Sequence, residues 1–118
     1  MLTFYTNTPR KLLAAIKTAI DEGHVRTWRY DRDCDFTHAE TQWERKAWMC
    51  PSVVEGSALR FGILFASGVT NTREVYAIYH GRFTEMMLAH FDGQFDGATA
   101  SALLDSGVDF GSGMRQTG

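Results

Sequence analysis

The stretch from Leu59 to Phe95 constrains the fold most, because along it the hydrophobic period changes from two residues to about 3.6. Leu59, Phe61, Ile63 and Phe65 alternate with Arg60, Gly62 and Leu64, and Arg73 to His80 resumes an extended pattern after the turn-rich segment from Ser67 to Thr72. The two runs are expected to pair as antiparallel strands. From Phe83 onward Met86, Met87, His90 and Phe91 recur three and four residues apart. That spacing predicts a helix whose apolar side, His90 included, packs on the preceding sheet.

Earlier in the chain, Leu2, Phe4 and Tyr5 suit a short strand. Asn7, Thr8 and Pro9 then supply capping oxygens and a proline fit for the first helical turn. Leu12, Leu13, Ile16, Ala19 and Ile20 make the apolar face of that helix, which Gly23 ends. Val25 to Asp31 reads as a strand with Arg26, Trp28 and Tyr30 on one face and Val25, Thr27 and Arg29 on the other, and Trp43 to Met49 reads as another. The polar segment from Asp31 to Gln42 is either a long hairpin connection or continues a strand through Phe36.

Strand, helix, several strands and helix in that order favour an α+β class: a single domain whose mainly antiparallel sheet of four or five strands carries two principal helices. Its 118 residues, 44% of them hydrophobic, supply one core. The domain is expected to span 1–97. Residues 98–118, rich in small side chains, should form a mobile terminal segment with a helical turn from Ala98 to Leu104. Strand order is not encoded in a hydrophobic pattern.

A formal charge of −2 supplies no global field for collecting nucleic acid or anionic lipid. The apolar opening from Met1 to Tyr5 is too short for a signal peptide, and no run reaches the roughly 18 apolar residues of a membrane helix. A cytoplasmic location without membrane partners is the expectation. Cys34 and Cys50 are too few for a disulfide framework or a four-cysteine zinc site.

His38-Ala39-Glu40 resembles the His-x-Glu pair of zinc nucleobase deaminases, in which the histidine binds metal and the glutamate moves protons. The Pro-Cys-x-x-Cys segment that completes such a site is missing, since Cys50-Pro51 runs in the reverse order and no cysteine follows. Asp35, His38 and Glu40 remain candidate metal ligands, beside Asp31 and Asp33, and motivate an alternative reading as a metal-assisted enzyme. The loop lacks the glycine and distal glutamate of a calcium site, so a solvated charged connection is favoured. No nucleophile elbow and no phosphate-binding glycine motif occurs, and no catalytic residue or cofactor is assigned.

The best binding signal is Arg26-Thr27-Trp28-Arg29-Tyr30, joined by Trp43 and Arg45. Guanidinium groups offer paired donors and the aromatic rings large contact surfaces. Asp31, Asp33, Asp35 and Glu40 follow closely, and their field opposes phosphate more than it opposes a mixed-charge protein surface. The leading expectation is therefore a protein-binding domain of accessory, regulatory or toxin-neutralising immunity type, with self-association open. Single-stranded nucleic-acid binding through Trp28 and Tyr30 ranks last.

Overall fold

The computed structural model describes residues 1–105 and 109–115, with 110–115 as backbone only. The alternating run becomes β5 (Ala58–Ala66), the strand on which the sheet is built. One of its edges pairs along nearly its whole length with β4 (Ala47–Val54). The other is shared: β1 (Leu2–Tyr5) lies antiparallel to Ala58–Phe61, and β7 (Phe110–Arg115) runs parallel from Leu64. Beyond β4 come β3 (Phe36–His38) and β2 (Trp28–Tyr30), and beyond β1 comes β6 (Gly97–Ala100). The order β2-β3-β4-β5-β1-β6 is antiparallel throughout. This is an α+β domain with six antiparallel strands, more than the four or five expected, and β7 as a parallel addition.

Both helices lie on one face of the sheet. Pro9 opens α1 (Pro9–Asp21), whose Leu12 and Ile16 are buried, and Gly23 takes a φ of 78° that a side chain would resist. The second helix, α2, spans Thr72–Phe91 and buries Val75, Tyr79, Phe83, Met86, Met87 and Phe91. Its Phe83 ring touches four others, with centroids 4.5 Å from Phe61, 4.9 Å from Trp28, 5.9 Å from Phe36 and 6.1 Å from Phe4. No helix among the described residues is long and apolar enough to cross a membrane.

Several expectations are corrected. Arg73 to His80 is the first half of α2 and does not pair with β5, whose partners are β4, β1 and β7. The β-branched and aromatic residues there suit a strand locally, but Val75, Tyr79 and Phe83 lie four apart and meet the sheet as one stripe. His90 falls outside that stripe and is exposed. Trp43 to Lys46 forms turns, with Arg45 at a φ of 56°, and the strand begins only at Ala47. Within the polar connection, Phe36 does belong to a strand. Gly97–Ala100 is extended, not helical, because β1 offers it a ladder from Leu2 to Tyr5. Of the segment expected to be mobile, 98–100 and 110–115 pair in the sheet, while 106–108 and 116–118 lie outside the described residues.

Candidate functional site

Strand alternation divides the proposed aromatic and charged surface. Trp28 faces the helices, is 2% exposed and packs edge-to-face on His38, Tyr79 and Phe83. It is a core residue and cannot stack on a ligand. Tyr30 and Trp43 are half-buried against the same core, and the Tyr30 hydroxyl donates to the Asp21 carboxylate at 2.8 Å. Arg26, Arg29 and Arg45 are exposed, and Arg29 is ion-paired with Glu44. The six residues therefore do not form one contact patch.

Asp35, His38 and Glu40 do not converge either. His38 is 1% exposed, its Nδ1 accepts the Glu40 N–H at 3.1 Å, and burial followed by the Arg82 charge lowers its pKa. The Glu40 carboxylate is exposed and lies 3.4 Å from the Arg82 guanidinium. Asp35, immediately before β3, faces the Cys50 thiol; burial raises its pKa and the thiol hydrogen bond opposes that rise. Burial, then the Asp35 charge, pushes the Cys50 thiol upward too, so it stays protonated. Asp31, Asp33 and Asp35 bring carboxylate oxygens within 4.8 Å of one another. The Asp31 carboxylate there accepts the Asp33 and Asp35 N–H groups, which organises the turn.

The densest polar cluster was not anticipated. The Met1 ammonium lies 2.8 Å from the Tyr76 hydroxyl and 3.0 Å from His80 Nε2, Ser101 Oγ and Asp109 Oδ2. His80 Nδ1 is 2.8 Å from the Tyr76 carbonyl, which can only accept, so the ring carries its proton on Nδ1 and presents Nε2 as an acceptor. Burial and the neighbouring ammonium push His80 down to about 4. Ser, His and Asp are together here, yet the contacts are not those of a nucleophile, base and orienting acid. His80 Nε2 meets the ammonium, and the Ser101 hydroxyl donates to the Leu103 carbonyl at 2.7 Å. Asp109 Oδ1 accepts the Ile63 N–H at 2.7 Å, and Oδ2 accepts the Asp105 N–H at 2.7 Å. The cluster clamps β1, α2 and β5 to the segment before β7. A neighbouring cavity of about 400 Å³ is lined by Phe65, Thr72, Arg73, Tyr76, Leu103 and Leu104 and holds no acid–base pair.

The helix-free face of the sheet carries a different arrangement. Strand register places Ser52, Arg60, Thr3 and Thr99 side by side in one row across β4, β5, β1 and β6, with Tyr5, 44% exposed, in the next row. Arg60 is the sole charged residue in β5, and its Nε is buried with no hydrogen-bond partner. Its neighbours in the row are hydroxyl side chains, and among the described residues no carboxylate forms an ion pair with it. The sequence marks Arg60 as the lone cation in an apolar run; its surroundings depend on register across four strands. No protein-family model, curated protein or solved structure matches this chain.

Proposed function

We propose that this chain is a protein-recognition domain whose contact centre is the helix-free sheet face around Arg60, with Tyr5 beside it. The observation that carries the reading is the Arg60 guanidinium, seated in the middle of a rigid sheet with a buried and unsatisfied Nε. A buried donor without an acceptor costs about 1–3 kcal/mol, and a partner carboxylate meeting the outer N–H groups of the same guanidinium would offset that cost through charge-assisted hydrogen bonds. The adjacent exposed tyrosine adds apolar contact at low entropic cost. Arg29 projects from the same face at the far edge but already has Glu44, which makes it a rim residue. A single cation in this row, on a chain of formal charge −2, favours a protein carboxylate over a phosphate backbone, whose binding draws on several cations at once.

The test is affinity capture from the cells that make the protein, followed by titration of the captured polypeptide. Arg60→Ala should weaken binding by about 2 kcal/mol, roughly thirtyfold, while leaving the circular dichroism spectrum unchanged. Unaltered affinity in this variant, or capture of no polypeptide at all, would refute the reading.

A further inference from the structure

The two edges of the sheet are finished differently. At one, β2 runs for three residues, carries the Arg29–Glu44 ion pair and is flanked by Arg26 and Asp31. Shortness and charge are the features that keep an edge strand from pairing with another chain. At the other, β6 reads Gly-Ala-Thr-Ala and continues into Ser101 and Ala102, with no charge or proline. Ala98, Thr99 and Ala100 are exposed, and β6 pairs with β1 alone among the described residues. The Ser101 N–H donates to the Met1 carbonyl at 2.9 Å, which fixes the phase of that ladder. Gly97 and Thr99 therefore address β1, and Ala98 and Ala100 turn their N–H and C=O groups outward.

We infer that β6 is the contact between two copies of this chain, paired antiparallel about Thr99 so that their sheets run on as one. In that register Ala98 lies opposite the second copy's Ala100, and each such pair exchanges both of its backbone hydrogen bonds. Thr99 meets its own counterpart across the axis on the helix-free face, Gly97 meets Ser101, and Asp96 meets Ala102, so no like charges oppose one another. A second copy is the fitting occupant because the side chains along this edge are hydrogens, methyls and one threonine hydroxyl. They offer no pocket for selecting a foreign sequence, whereas the twofold register satisfies the edge with its own neutral residues. Five strand spacings separate the two Arg60 side chains, roughly 24 Å at about 4.8 Å per strand, so both contact centres stay open on a common face. A strand pair this short belongs to the small, reversible class of interface.

Sedimentation velocity of the full chain, from roughly micromolar to millimolar concentration, reads the association directly. The weight-average mass should rise from 13.3 kDa towards twice that value. Ala98→Pro removes an outward-facing N–H and spares the β1 ladder, and Thr99→Lys sets two ammonium groups against each other across the axis. Both variants should stay monomeric over the whole range, with Thr99→Lys deciding the matter if the proline variant unfolds. Arg60→Ala and Arg29→Ala should dimerise like the parent chain, which separates this inference from the proposed partner site. A parent chain that remains monomeric throughout, or dimers that persist in folded Thr99→Lys, would overturn it.

Discussion

His80 shows how one side chain acquires a role that its identity does not announce. In the sequence it ends what reads as a strand; in the structure it stands within α2, stacked on Tyr76 at 3.7 Å and accepting from the Met1 ammonium. Its folded pKa, near 4, lies below the ordinary 6.5, so the folded chain prefers the neutral ring and the unfolded chain binds the proton more readily. The stabilisation is present above about pH 6.5 and is lost as the pH falls towards 4, amounting to up to about 3 kcal/mol. Burial lowers His38 as well, and it contributes with the same sign. His80→Gln should cost about 1–2 kcal/mol at neutral pH and flatten the acid limb of a urea-denaturation series. An acid limb as steep as that of the parent would show that other groups carry it. Nothing in the local sequence foretells this site, because its members come from positions 1, 76, 80, 101 and 109.

Among elements, α1 and β5 are legible in the sequence because each shows one unbroken period. Helix α2 is only half legible: Ala77, Ile78, Leu88 and Ala89 lie off its buried stripe, so apolar residues surround it and obscure the turn-by-turn spacing. For β6, the alanines favour helix, and the strand exists because β1 lies alongside. Phe83 is the point at which α2 is fixed to the sheet. Phe83→Ala removes a ring in contact with Phe4, Trp28, Phe36 and Phe61 and should destabilise the fold by about 3–5 kcal/mol in equilibrium denaturation. A loss under 1 kcal/mol would mean that the core repacks around the gap.

Across the whole molecule, the division expected after residue 97 cuts through the sheet. A chain ending at Gly97 lacks most of β6, the Ser101 and Asp109 partners of Met1, and all of β7. It should lose the cooperative urea transition and the near-ultraviolet circular dichroism of packed aromatics, whereas an intact transition would restore the division. The fold class is readable from the order of periods, but the strand order is not, since it places the first strand between the fifth and the sixth. The candidate recognition row is hidden for the same reason, being assembled from residues 3, 52, 60 and 99.

The Asp109 carboxylate, which accepts the Ile63 N–H beyond the end of β1 and just before β7 takes over, has a consequence for how the protein is made. Residues near the start of the chain and near position 110 complete the same edge of one central strand. During synthesis β1 therefore leaves the ribosome long before its last partner does, and the nascent chain carries an open strand edge until residue 109 has emerged.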